Sequence, residues 1–98
     1  MKRVLVECRD LFFRGKIQEI IRSAGAEPVR DDPYQLAVVE LGKPGGGTAA
    51  RLRELVDRGV PVLAFGSHID AAALRAARDA GARAVPNSEV EAALRALL

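Results

Sequence analysis

The chain lacks a second cysteine. Cys8 is alone among 98 residues, so it can close no internal disulfide, complete no redox pair and share no cysteine-rich metal site. A buried, space-filling role is expected for it. Long apolar runs are missing as well: residues 60–65 are typical of the longest, against the roughly 20 consecutive apolar residues that a membrane span requires. Met1, Lys2 and Arg3 lead straight into a strand-like Val4-Leu5-Val6, without the apolar stretch and small-residue cleavage site of a secretory signal. No membrane partner is expected, and the expected location is cytoplasmic. A charge excess of one sign is also absent. The 15 Lys and Arg against 13 Asp and Glu leave only +2, and the basic residues are interleaved with Glu54, Asp57, Asp79, Glu89 and Glu91. Nucleic acid normally demands a basic stripe, so no nucleic-acid partner is expected.

What is present is the composition of one globular domain, 49% hydrophobic and 29% charged, expected to span residues 1–98 around one core. Short apolar runs alternate with helical periods along the whole chain, the pattern of βα units and a parallel sheet buried on both faces. A first strand is expected over residues 3–8. The helix after it carries a core stripe of Phe13, Ile17, Ile20, Ile21 and Ala24, with Asp10 as its N-cap and Gly25 as its stop. A weak second strand over residues 26–30 contains Pro28, which cannot donate to a ladder and so belongs at a sheet edge. Residues 36–41 form a third, nearly all-apolar strand. Thr48 then caps a helix burying Leu52, Leu55 and Val56. Residues 60–65 form a fourth strand, followed by an alanine-rich helix over residues 70–80. After a short fifth strand over residues 82–85, Ser88 and Glu91 read as a capping box for a last helix burying Val90, Ala93, Leu94 and Leu97. The fold class is therefore α/β in three layers, a five-stranded parallel sheet of order 2-1-3-4-5.

One unit is short. Only Asp31-Asp32-Pro33-Tyr34-Gln35 separates the second and third strands, where a parallel crossover usually holds a helix. Five extended residues reach roughly 17 Å, enough to recross the sheet as a bare loop. The sheet face near the first and third strands should then be poorly covered, and uncovered apolar surface favours association. A homodimer or a protein partner on that face is expected.

In an open parallel sheet, ligands bind beyond the carboxyl ends of the strands, near the reversal of strand order. That crevice is lined by Arg9 and Asp10, by Glu40 to Lys43, by Gly66-Ser67-His68, and by Pro86-Asn87. Asp10 serves as a cap or as one of two acids on a shared site. Glu40 ends an apolar strand, where a carboxylate needs a partner; Arg9, Arg14 or Lys43 can supply it. Together Asp10 and Glu40 offer two oxygen ligands to a hard cation such as magnesium, the one cofactor the sequence points to. Gly66-Ser67-His68 brings a hydroxyl, the chain's only imidazole and a helix N-terminus suited to an anion. Ser67, His68 and Asp70 lie too close along one turn to converge as a triad, so no catalytic residue is assigned and an enzyme is not the favoured reading. Residues 42–48 are rich in glycine, but Lys43 precedes the glycines and Thr48 follows no lysine, so a nucleotide phosphate loop is not expected. Leu11 and Phe12 fall off the core stripe. Phe12 shares its face with Lys16, Glu19 and Ser23, and an exposed aromatic beside the crevice is a candidate interface anchor.

Val4-Leu5-Val6 with Asp10, Glu40-Leu41-Gly42-Lys43-Pro44, Pro61-Val62-Leu63-Ala64-Phe65 and Ala80-Gly81-Ala82 follow one another as they do in a response-regulator receiver domain of the CheY-like type. The chain resembles that family over nearly its whole length. The resemblance implies an acidic pair after the first strand, a phosphoacceptor aspartate after the third, a Thr or Ser after the fourth and a lysine after the fifth. By position Asp10 matches one acid, Glu40 takes the acceptor place, Gly66 followed by Ser67 the hydroxyl place, and Asn87 or Ser88 the lysine place. Only Asp10 matches in kind. Glutamate sets its carboxylate one methylene further out, and phosphoryl transfer depends on positioning. The resemblance thus implies a degenerate, phosphorylation-independent receiver, a regulatory or protein-interaction module in signalling whose binding residues are Leu11, Phe12, Arg14 and the Ser67-His68 loop. The rival reading is a small anionic-ligand or phosphate-binding domain, with Asp10, Glu40, Ser67 and His68 in its crevice.

Overall fold

A computed structural model describes residues 1–42 and 47–98 of the chain. Among them, β1 (Arg3–Glu7), β2 (Glu27–Val29), β3 (Leu36–Glu40), β4 (Val62–Gly66) and β5 (Arg83–Pro86) form one parallel sheet of order β2-β1-β3-β4-β5. The helices are α1 (Leu11–Ser23), α2 (Thr48–Asp57), α3 (Ala71–Asp79) and α4 (Val90–Leu97). None of them is long and apolar enough to cross a membrane. The Glu40-Leu41-Gly42 turn is described only as far as Gly42, and the reading of residues 43–46 as a glycine-rich loop, with Lys43 beside Glu40, lies outside the described residues.

The alternation of side chains along each strand divides the core in two. Val4, Leu36, Val38, Leu63 and Phe65 point to one side, where Ile17, Ile20 and Ile21 of α1 and Val90, Ala93 and Leu94 of α4 cover them. Leu5, Ala37, Val39, Val62 and Ala64 point to the other, against Leu52 and Leu55 of α2 and Leu74 and Ala77 of α3. Because β3 and β4 are buried from both sides, four consecutive residues of each carry no polar group: Leu36 to Val39 and Val62 to Phe65 are all buried. The α3 helix must stop where Gly81 follows it. That residue has φ +99, and a Cβ there would come within 2.9 Å of Val56 Cγ1, so both conformation and space require glycine.

Four local expectations differ from the structure. Ala24 is exposed, because it is already the C-cap of α1 and the chain is turning away from the core. Gly47, not Thr48, holds the cap position of α2; Thr48 is the first helical residue, and its Oγ1 accepts from the Gly42 amide at 3.3 Å. The fourth strand begins at Val62, so Val60 and Pro61 lie before it. The capping box does not form: residues 87–89 wind into a 3-10 turn and α4 begins at Val90 with no side-chain cap. Glu91 is drawn instead to Lys16 on α1, its Oε2 lying 3.5 Å from Nζ.

The larger difference concerns the missing crossover helix. Residues 30–35 do pass from β2 to β3 without a helix, yet the sheet beneath them is covered. Leu5, Ala37 and Val39 are 1%, 0% and 3% exposed. Tyr34, from the connecting loop, packs against this half of the core beside the residues of α2 and α3. The loop is tied down on both flanks. Arg58 donates to the Tyr34 hydroxyl at 2.7 Å and pairs with Asp32. Arg3 donates from Nε to the Pro33 carbonyl at 2.6 Å and from its amide to Gln35 Oε1 at 2.8 Å. The expectation of a poorly covered sheet face is thus not met at Leu5, Ala37 and Val39.

Candidate functional site

The site lies at the carboxyl ends of β1, β3 and β4. Where β1 ends the chain turns outward, and Asp10 starts α1: its Oδ1 accepts from the amides of Phe12 at 2.9 Å and Phe13 at 3.1 Å. That capping geometry satisfies two of the free amides of the first turn. Leu11 and Phe12 stand out of the surface, 71% and 65% exposed. Phe12 is nonetheless well seated. Its ring meets Phe13 edge-on at 5.6 Å between centroids, and Lys16 Nζ sits 4.8 Å from its centre. Phe13 in turn lies 5.6 Å from the fully buried Phe65. Three aromatic rings thus run from the core to the surface.

Glu40, at the end of β3, is half-buried. Its Oε1 accepts from the amide of Arg9 at 2.9 Å and that of Asp10 at 3.4 Å. The partner of this carboxylate is therefore the backbone of the β1–α1 turn, not the side chain of Arg9 or Arg14. The outward turn after Glu7 aims those amides across the sheet, and a glutamate is long enough to meet them. Cys8 lies beneath the turn, 9% exposed, with Sγ donating to the Asp10 carbonyl at 3.4 Å. Burial, followed by the charge of Glu40, pushes its thiol up to about 11. A thiol so far from ionising is a packing residue, in keeping with the expectation for it.

Just past the end of β3, Leu41 lies beside the end of β4, its amide donating to the Phe65 carbonyl at 2.8 Å. A Cβ on Gly66 would come within 3.2 Å of both Cβ and Cδ1 of Leu41, so a side chain there needs Leu41 to give way by a few tenths of an ångström. Beyond it Ser67 and His68 are exposed. Ser67 Oγ accepts from the Ile69 amide at 3.3 Å, and Asp70 Oδ1 accepts from the Ala73 amide at 3.0 Å to cap α3. Asp70 is thus committed to the helix end, and no Ser-His-Asp relay is assembled. Arg9, Glu40, Leu41, Gly66, Ser67 and Asp70 line one cleft of about 370 Å3. Asp10, His68, Leu11 and Phe12 do not line it, and Arg14 faces a different hollow. Asn87 is half-buried at the start of the 3-10 turn and Ser88 is exposed.

Sequence reasoning missed one feature. Glu7 and Arg51 form a partly buried pair on the α2 side, with Arg51 Nε 3.1 and 3.0 Å from the two carboxylate oxygens and Nη2 2.6 Å from Oε2. The hydrogen bonds to Glu7 raise the guanidinium above its usual range. The available signal was an acid closing Val4-Leu5-Val6-Glu7 in a strand otherwise expected to be apolar on both faces.

No family model matches the chain, and no curated protein matches its sequence. Solved structures do. The receiver domain of the TMAO respiratory system response regulator TorR superposes with a TM-score of 0.82 at 12% identity, over 99% of this chain and 96% of that one. A CheY-like protein, tadZ, from Pseudomonas aeruginosa gives 0.78 at 20% identity over 99% and 96%. The fold is that of a receiver domain. A response regulator receiver protein from Burkholderia phymatum gives 0.72 at 22% identity over 96% and 95%. These superpositions, at identities below 25%, show the fold.

Proposed function

We propose that this receiver-fold domain is a regulatory module that works by binding another protein and does so without being phosphorylated. The observation that carries the reading is the way Glu40 and Leu41 fill the end of the sheet. The carboxylate in the acceptor place is turned onto the Arg9 and Asp10 amides, and Leu41 occupies the space at Gly66 where a hydroxyl-bearing side chain would need room. A carboxylate tied by one oxygen to two backbone amides has the character of a permanent setting. Leu11 and Phe12 supply the contact surface, with Arg14 one turn further along α1 and the Ser67-His68 loop as the further contact. Exposed apolar side chains held rigid by packing lose little entropy on binding.

Incubation with acetyl phosphate and magnesium, read by intact mass, tests the first half. No added phosphoryl mass is expected, whereas a stable adduct lost in Glu40→Ala overturns it. Sedimentation of the wild type and of a Leu11→Ser, Phe12→Ser double variant tests the second half against a second copy of the chain. A concentration-dependent dimer abolished by the double variant identifies the chain as its own partner, and a dimer that survives it rules out this surface. We assign no resident cofactor. Magnesium is the ion whose ligand chemistry Asp10 and Glu40 would meet, through the oxygens not engaged by amides and with water completing its shell; a titration shifting the resonances of both residues would identify that site.

The second reading, a small anion in the open cleft between Glu40 and Ser67, draws support from Arg9 in its wall. Two carboxylates, Glu40 and Asp70, line the same space and oppose it. Thermal shift with inorganic phosphate separates the two readings: stabilisation lost in Arg9→Ala favours the anion site.

A further inference from the structure

We propose that the domain carries a second site, at the outer corner of the sheet, that takes the anionic group of a small molecule between Arg14 and Arg30. The pairing of β1 with β2 ends where Leu5 lies opposite Val29. On its other side β1 continues in register with β3 as far as Glu7 opposite Val39. The last residues of β1 therefore have no strand neighbour on the outer side, and residues 30–35 lead away to β3 with no helix standing over the corner. A cleft of about 480 Å3 occupies that place. Arg14 and Gln18 of α1 form one wall, Pro28, Val29 and Arg30 the other, and the end of β1 the floor. The volume falls within the roughly 300–1,000 Å3 of small-molecule sites.

Charge decides the ligand class. The ion pairs among the described residues engage Arg3, Lys16, Arg51 and Arg58, leaving Arg14 and Arg30 without an acidic partner there. The carboxylate in the lining is that of Glu7, whose oxygens are both held by Arg51. Its charge is matched from the α2 side. The other polar residues that line the cleft are Arg14, Arg30 and Gln18, whose side chains bring hydrogen-bond donors. Guanidinium forks bind carboxylate and phosphate oxygens in pairs. Arg14 also makes itself felt on the floor, where its charge opposes the rise of the Cys8 thiol. The apolar parts of the wall, Val6, Pro28 and Val29, suit a ligand with a hydrocarbon or ring body behind its anionic head. This site is separate from the cleft at Glu40 and Ser67, so either can fail without the other.

The test is a titration of the 98-residue chain followed by amide NMR spectra, with phenyl phosphate, inorganic phosphate and benzoate as probes and benzyl alcohol as the uncharged control. Saturable shifts are expected at Arg14, Gln18, Arg30 and Cys8 with phenyl phosphate, weaker ones with inorganic phosphate and none with benzyl alcohol. The benzoate arm tells phosphate preference from a general affinity for anions. Arg14→Met and Arg30→Met should each weaken binding about tenfold or more, as loss of a charge-assisted hydrogen bond does, with native-like spectra confirming that the variants fold. His68→Ala and Arg9→Ala should leave binding intact. Shifts that rise linearly without saturating, that survive in the Arg14→Met, Arg30→Met double variant, or that centre on residues 66–70 overturn the proposal.

Discussion

The Glu40 carboxylate reaches across from the end of β3 to the backbone of Arg9, its Oε1 2.9 Å from that amide. The contact joins two parallel strands beyond the last rung of their ladder. It turns a residue that stands in a chemically exposed place into a brace for the β1–α1 turn.

Glu40→Ala is accordingly expected to lower stability by about 1 kcal/mol, the net worth of such hydrogen bonds where water can replace the lost acceptor. Glu40→Gln should lose less, because the amide oxygen still accepts. Urea melts of the three proteins check the ranking. Equal midpoints for all three would show that the brace carries no weight.

Gly66→Ser restores a hydroxyl-bearing side chain at the end of β4 and should destabilise by roughly 1–2 kcal/mol through crowding against Leu41. Combined with Leu41→Ala the loss should shrink, giving a coupling of at least about 0.5 kcal/mol in a double-mutant cycle. Additive losses would mean that Leu41 is not the obstacle.

Tyr34→Ala removes a ring packed against the half of the core that holds Leu5 and Ala37. A loss of about 2 kcal/mol is expected, together with binding of a hydrophobic dye that the wild type does not show. Tyr34→Phe keeps the ring and gives up only a surface hydrogen bond to Arg58, so its melt should stay within about 0.5 kcal/mol of wild type. If the two variants behave alike, the hydroxyl and not the ring holds the loop.

Cys8 sets a pH dependence. Its thiol is pushed up from 9.0 to about 11 in the folded chain, so the unfolded chain gives up this proton first as pH rises. The stabilisation is complete below pH 9 and declines between pH 9 and 11, by up to roughly 2–3 kcal/mol. The difference in stability between wild type and Cys8→Ala, followed across that interval, isolates the effect from other titrating groups. A flat difference would place the thiol in contact with water.

The strand order, the edge position of Pro28 and the Asp10 cap were legible because each rests on a local rule: alternation buried on both faces, a missing donor, a carboxylate before a helical stripe. The absent crossover helix was legible from chain length alone. Its consequence was not, since covering a sheet face is a matter of three-dimensional reach. Nothing in Asp31-Asp32-Pro33-Tyr34-Gln35 says that the tyrosine folds inward or that Arg58, more than 20 residues on, meets it. The candidate site divides along the same line. Asp10, Glu40, Gly66 and Ser67 follow from the ends of strands, but the acceptance of the Arg9 amide by Glu40, the lid that Leu41 makes over Gly66 and the pairing of Glu7 with Arg51 depend on contacts between elements.

Phe12 rests on Phe13, and Phe13 on Phe65, so the outermost ring is mounted on the strand that ends at Gly66. A close-packed interior passes strain on instead of absorbing it. Pressure on Phe12 is borne by the same beam that carries Gly66 and the Ser67 loop at its tip, which gives the surface and the cleft a common mechanical foundation.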